Sequence, residues 1–295
     1  MFRKIETLEE ARARNVEDAL REDVGTGGIT ESFINTQKIE ARIISRDSAV
    51  LCGLDWCNEC FKRINSEVKV DFLKSDGDLI KENEIICTIY GDGKSILEAE
   101  RSALNFLQLL SATATTTKKY LRALKQVKVG NPHCCIYDTR KTQPGLRLAQ
   151  KYAVRIGGGE NQRLGLWDHM LFKENHLKCL GGIVGLKSKM QDFHKTNGRK
   201  LIITSDIQVE VESIRELKLA LSMGIKNILL DNFSINMLIQ AVSISKKKAV
   251  LEVSGGVNLK SLASIAKTGV ERISIGNLTK DVSAVDFTML IKNDS

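Results

Sequence analysis

Arg140 and Lys141 stand side by side in the stretch YDTRKTQPGLR, with Arg147 close behind and Pro144–Gly145 between them. A guanidinium offers a planar fork that grips a carboxylate or phosphate through two bonds, and an ammonium offers a point charge. Proline and glycine fix a turn, so these cations occupy a shaped loop and not a solvated helix face. More cations follow at similar places. Arg163 comes just after Gly157, Gly158 and Gly159, which allow close backbone approach to a ligand. Lys173 ends the apolar run HMLF, and His176 stands three residues later. Two acids, Glu210 and Asp231, oppose this set as acid–base groups, metal ligands or acceptors for sugar hydroxyls. Ser254–Gly255 in VSGG and Gly276 in SIGN resemble strand-end loops whose N–H groups hold a phosphate. No activated Ser, Cys or Lys nucleophile is evident. The implied ligands are a phosphorylated sugar and a second, strongly anionic molecule, and the implied catalysis is positioning with charge stabilisation.

The elements that must position these residues repeat through the second half. IQVEVE alternates apolar and polar residues at strand period, SIRELKLALSMG has helical spacing and stops at Gly224, and strand and helix patterns then recur to ERISIGNLT. Glu210, Asp231, Ser254 and Gly276 fall at successive strand ends, 21, 23 and 22 residues apart. Serial βα units build a parallel sheet, and polar residues at one end of each strand meet at the mouth of a closed α/β barrel. An open doubly wound sheet is the alternative. CCIYDT reads as a buried strand with Cys134 and Cys135 as apolar filling, so Arg140 and Lys141 leave its carboxyl end. The first hundred residues read as an α+β domain, with a boundary near residue 112. A helix over EAERSALNFLQLL carries Leu104, Leu107 and Leu110 on one side. Arg101, Asn105 and Gln108 form a polar stripe on another.

The net charge of +8 and pI near 9.1 favour an anionic partner. Nucleic acid is disfavoured, because aromatics are only 5% and the informative cations sit at strand ends instead of in aromatic-interleaved stripes. Lys246–Lys248 reads as a solvated helix end. No run of roughly 18 apolar residues occurs, so no membrane span is expected. The charged first residues lack a signal peptide's apolar core, and seven cysteines argue for reduced thiols and a cytoplasmic location. Cys57 and Cys60 form one CxxC with no second pair at zinc-ribbon spacing, which favours a buried helical pair over a metal site. GDGKS lacks the first glycine of a phosphate-binding P-loop, and GGGENQ lacks the last glycine of a dinucleotide fingerprint.

The segments LREDVGTGGIT, ERSALNFLQLLSATAT, DTRKTQPGLRLAQKYAVRIGGGENQRLGLWDHMLFKENH, VEVES, LLDN, EVSGG and ISIGNLT together resemble the quinolinate phosphoribosyltransferases. The resemblance runs over nearly the whole chain. It implies transfer of phosphoribose from phosphoribosyl pyrophosphate to the ring nitrogen of quinolinate, with loss of CO2, in NAD biosynthesis. It also implies the fold of the type II phosphoribosyltransferases. In that fold an N-terminal α/β sandwich over residues 1–112, joined by residues of about 279–295, precedes a seven-stranded α/β barrel over 113–278. By position, Arg140, Arg163 and Lys173 would bind the quinolinate carboxylates, and Arg101 would join them from the neighbouring subunit of a homodimer. Lys141 and His176 would face the pyrophosphate. Glu210 and Asp231 would hold the ribose hydroxyls, directly or through Mg2+, and Ser254, Gly255 and Gly276 would cradle the 5′-phosphate. Lys141, Glu210 and Asp231 would be the catalytic groups. Members are homodimers or assemblies of dimers up to hexamers. Two positions depart from the family pattern: Gln162 stands where a histidine is usual, and Gly28 where an acid is usual. The first removes a titratable group beside Arg163, and the second is expected to affect only a local turn. A related pyrophosphorylase-like family associated with molybdate transport shares the fold, but the full Arg140, Arg163 and Lys173 set suits a dicarboxylate.

Overall fold

The computed structural model describes residues 5–34, 37–196 and 207–292. The chain divides into two compact units. One comprises Met1–Lys119, Lys141–Gly158 and Leu278–Ser295, and the other Tyr120–Arg140 and Gly159–Asn277.

The first unit is built on a four-stranded antiparallel sheet in the order Phe287–Ile291, Lys38–Ser45, Ile85–Asp92, Lys69–Phe72. The helix Gly93–Lys125 carries Ile96, Ala99, Ala103, Leu107 and Leu110, all fully buried and spaced three or four residues apart, so one continuous apolar stripe enters the core. Arg101 and Asn105 face solvent on the same helix. The N-terminal helix Leu8–Asp23 starts with a capping box, in which Glu10 N–H donates to Thr7 Oγ1 (3.2 Å) and Thr7 N–H to Glu10 Oε2 (2.9 Å). Asp76 caps the helix Leu54–Ile64 by accepting the N–H groups of Gly53 and Leu54, and it also accepts the Tyr152 hydroxyl at 2.8 Å. On that helix Cys57 and Cys60 are both fully buried. Burial pushes both thiols up, Cys60 to about 12, so they act as core filling. At Gly28 the N–H donates to Glu98 Oε1 (3.3 Å), and a β-carbon there would lie 2.0 Å from Glu31 Oε2. An acid at this position would face two carboxylates.

Among the described residues the second unit contains six parallel strands in the spatial order Cys135–Tyr137, Arg272–Ser274, Val250–Ser254, Asn227–Asp231, Ile207–Val211, Met170–Phe172. The expected seventh strand shrinks to one parallel bridge, Tyr137 to Glu160, directly after the glycine triplet. The sheet curls round on itself. Gln162 follows the Glu160 edge, and Gln208 lies on the fifth strand beyond it. In a flat sheet five inter-strand steps would separate them by roughly 24 Å, yet Gln162 Nε2 lies 3.0 Å from Gln208 Oε1. This curvature explains the alternation in the strands. Ile207, Val209 and Val211 are fully buried on one face, as are Ile228 and Leu230. The other face carries Gln208, Glu210, Asp231, Glu252, Ser254 and Ser274 and encloses the polar interior. The helices Ile214–Ser222, Ile235–Ser245 and Leu259–Lys267 start on the side-chain caps Ser213, Ser234 and Asn258. Cys135 corrects the expectation for its strand. It is exposed at the strand's first residue, where the sheet begins at its amino edge. No helix among the described residues is long and apolar enough to cross a membrane.

Candidate active site

Lys173 follows the Met170–Phe172 strand directly, and Glu210 is the penultimate residue of the neighbouring strand. The adjacency brings Lys173 Nζ within 2.6 Å of Glu210 Oε2. The other oxygen of Glu210 accepts the Glu174 N–H at 3.2 Å, so this 7% exposed carboxylate is held by a cation and by backbone. His176 accepts the Lys173 N–H on Nδ1 at 3.0 Å and thereby caps the short helix Glu174–Leu180.

Arg163 is 7% exposed and belongs to the same unit. Nη1 donates to the His169 carbonyl at 3.1 Å, whereas Nη2 is buried with no hydrogen-bond partner. Burial pulls this guanidinium down from its ordinary value, and the nearby positive charge of Arg140 pulls it further. Asp168 and Glu210 act in the opposite sense but do not offset the shift. A buried donor without an acceptor costs about 1–3 kcal/mol, more when charged, and two like charges add to it. A bound carboxylate would remove both penalties.

Asp231 and Ser254 end adjacent strands in register. Between them Asn232 N–H donates to the Ser254 carbonyl (3.0 Å) and its side-chain amide to Asp231 Oδ2 (2.8 Å). Asn232 has φ +55°, Gly255 +96° and Gly256 +58°. A β-carbon on Gly255 would lie 2.1 Å from Asn232 Oδ1 and 2.9 Å from Asn232 N, so glycine is required there by space as well as by backbone conformation. Gly276 lies two residues beyond the Arg272–Ser274 strand, after Ile275 N–H has bonded the Tyr137 carbonyl at 2.9 Å.

Arg140, Arg163, Lys173, Glu210, Asp231, Ser254, Gly255, Gly276 and His176 therefore all belong to the second unit, at or just beyond the carboxyl ends of its strands. Arg101 and Lys141 belong to the first. Both are exposed, and the Lys141 carbonyl accepts the Thr279 hydroxyl at 2.7 Å. Below the strand ends is a group that the motifs did not mark. Glu252, 1% exposed, accepts from Gln162 Nε2 (2.7 Å), Gln208 Nε2 (2.8 Å) and Ser274 Oγ (2.5 Å). Buried Asp138 accepts the Gln162 N–H at 2.8 Å. Strand alternation could have found these side chains. A parallel strand flanked by helices has no solvent face, so its polar alternates must point inward.

Residues 23–111 match the quinolinate phosphoribosyl transferase N-terminal domain, and residues 113–290 match the corresponding C-terminal domain. The probable nicotinate-nucleotide pyrophosphorylase (carboxylating) of Bacillus subtilis is 35% identical over 271 residues, covering 91% of this chain and 89% of that protein. The chloroplastic nicotinate-nucleotide pyrophosphorylase (carboxylating) of Arabidopsis thaliana is 32% identical over 294 residues, covering 94% and 81%. Among solved structures, the nicotinate-nucleotide pyrophosphorylase from Francisella tularensis superposes with a TM-score of 0.86 at 39% identity, covering 98% of each chain. Both family domains, the relatives and the architecture agree: this chain belongs to the quinolinate phosphoribosyltransferase family.

Proposed function

We propose that this chain transfers the phosphoribosyl group of phosphoribosyl pyrophosphate to the ring nitrogen of quinolinate. The bond from C1′ to the pyrophosphate oxygen breaks with its electron pair leaving on pyrophosphate, and the ring nitrogen forms the new bond to C1′. The 2-carboxylate then departs as CO2, C2 takes a proton in its place, and nicotinate mononucleotide remains. Family membership and relatives named for this activity support the reaction. The single observation that carries the acceptor's identity is the buried Arg163 guanidinium, with Nη2 unpartnered and Arg140 close by. Two clustered guanidiniums favour a dianion over a monoanion.

In this proposal Arg140, Arg163 and Lys173 hold the acceptor carboxylates. Glu210 and Asp231 hold the ribose hydroxyls and stabilise positive charge developing at C1′. Ser254, Gly255 and Gly276 carry the 5′-phosphate, and Lys141 and His176 face the departing pyrophosphate. Lys173 and Glu210 form one ion pair, so the acceptor side and the sugar side share a contact. Magnesium would offset pyrophosphate charge, and the carboxylates of Glu210 and Asp231 are donors of the right hardness. Among the described residues no three His, Cys, Asp or Glu side chains form a metal-holding group, so the ion would depend on substrate oxygens. Arg101 of one subunit would complete the site of the other in a homodimer. Release of nicotinate mononucleotide from quinolinate, phosphoribosyl pyrophosphate and Mg2+ tests the reaction. Nicotinate should be a poor acceptor, because it lacks the 2-carboxylate. Comparable turnover of the two acids would overturn the acceptor assignment.

A further inference from the structure

We infer that Glu252 is a positioning residue for the acceptor site, acting on Arg163 through the orientation of the Gln162 amide. Three side chains form a closed triangle. Gln162 Nε2 donates to Gln208 Oε1 (3.0 Å) and Glu252 Oε1 (2.7 Å), and Gln208 Nε2 donates to Glu252 Oε2 (2.8 Å). The fourth contact leaves the triangle, where Gln162 Oε1 accepts the Arg163 N–H at 2.8 Å. Ser274 Oγ adds a third donor to Glu252, which is 1% exposed.

Only one amide orientation fits. Turning Gln162 over would set its NH2 against the Arg163 N–H and its oxygen against two acceptors. The donor–acceptor count makes the carboxylate necessary, because residue 252 must present acceptors to both Gln162 and Gln208. An amide there puts its NH2 against the NH2 of Gln162 or of Gln208. Turning Gln208 only moves the conflict to its contact with Gln162. Turning Gln162 as well leaves two oxygens facing each other and gives up the Arg163 N–H, so no arrangement of three amides satisfies the triangle. A buried carboxylate thus sets the backbone from which a buried, incompletely bonded guanidinium projects. Gln162 suits this role because its two termini donate and accept at once without titrating near neutral pH.

This role presupposes that Arg163 holds the acceptor, as proposed above, and the two ideas fail separately. In Glu252→Gln, quinolinate Kd should rise at least tenfold by calorimetry while KM for phosphoribosyl pyrophosphate stays within twofold. Gln208→Glu alone should also weaken quinolinate, because two carboxylates then face each other. The double variant Gln208→Glu/Glu252→Gln restores every donor–acceptor relation, with the charge moved two strands along the sheet, and should recover quinolinate binding to within about threefold. Arg163→Ala is the control. If it leaves quinolinate binding intact, the acceptor assignment of Arg163 is wrong. If Arg163→Ala loses binding but Glu252→Gln does not, the positioning role is wrong. Equal weakening of both substrates in Glu252→Gln, or a double variant no better than the singles, also overturns it and leaves Glu252 as scaffold.

Discussion

The two ends of the second unit's parallel sheet both carry positive charge, in opposite ways. At the amino end a cavity of about 1130 Å3 is lined by Lys226, Lys246, Lys247 and Lys248 together with His133 and Glu271. All four lysines are exposed, and Lys226 Nζ is satisfied by the Lys248 carbonyl at 3.3 Å. At the carboxyl end Arg163 is buried with an unpartnered Nη2, and Lys173 is locked to a buried acid. The amino-end cavity surrounds cations that water already solvates, whereas the binding potential lies where desolvation has raised the cost of an unpaired charge. Clustered cations beside a cavity therefore do not by themselves mark a site. Burial with an incomplete set of partners is what separates the two ends.

The strongest way to break this contrast is Arg163→Ala. In the proposed role it would remove two charge-assisted hydrogen bonds to a carboxylate, each worth about 1.5–3 kcal/mol, so quinolinate affinity should fall by about 100-fold or more. A loss under threefold in calorimetry would return the carboxyl end to the status of the amino end. Next come the acids. Glu210→Ala and Asp231→Ala should each lower kcat at least tenfold. The ion pair to Lys173 adds a distinction, because only Glu210→Ala should also shift quinolinate Kd, by a few-fold. Equal quinolinate binding in both variants would show that the pair does not couple the two substrates. Gly255→Ala forces a β-carbon toward Asn232 at a left-handed position, a strain of about 1–3 kcal/mol. KM for phosphoribosyl pyrophosphate should rise about tenfold with quinolinate Kd unchanged. Replacing Lys246, Lys247 and Lys248 together with Ala should leave both kinetic constants within twofold, and a larger change would make the amino-end cavity functional. The smallest effect concerns the same turn. Lys246 and Lys247 both have positive φ, +44° and +63°, just after the helix Ile235–Ser245. Lys246→Gly should relieve strain and raise Tm by about 1–2 °C.

Much of this contrast is legible in the residues themselves. The βα repeat places Glu210, Asp231 and Ser254 at strand ends because helix and strand periods are local properties. Lys246–Lys248 reads as a helix end for the same reason. The triangle of Gln162, Gln208 and Glu252 is not legible that way. Gln208 and Glu252 lie on separate strands and Gln162 just beyond the Glu160 bridge, so the three meet only because the sheet curls round, and no local period encodes that curvature. Alternation marks Glu252 as facing inward, away from Leu251 and Val253, but not which side chains of other strands it meets there. Cys135 fails for a related reason: apolar character does not tell a strand's buried middle from its open first residue. The seventh strand, reduced to the bridge at Glu160, is too short to leave a periodic signal.

The pairing of Phe287–Ile291 with Lys38–Ser45 has a consequence in time. Ser45 lies opposite Phe287, so a strand near the beginning of the chain waits for one made 242 residues later. At about 5–20 residues per second, synthesis leaves that flank of the Lys38–Ser45 strand unpaired for roughly 12–50 s. All the strands of the parallel sheet emerge within that interval. The first unit is thus begun first and finished last, with an apolar edge exposed to other nascent chains meanwhile. Ending the chain before Phe287 should make the protein aggregate during synthesis while the parallel sheet still forms, because none of that sheet's described strands lies in the missing segment.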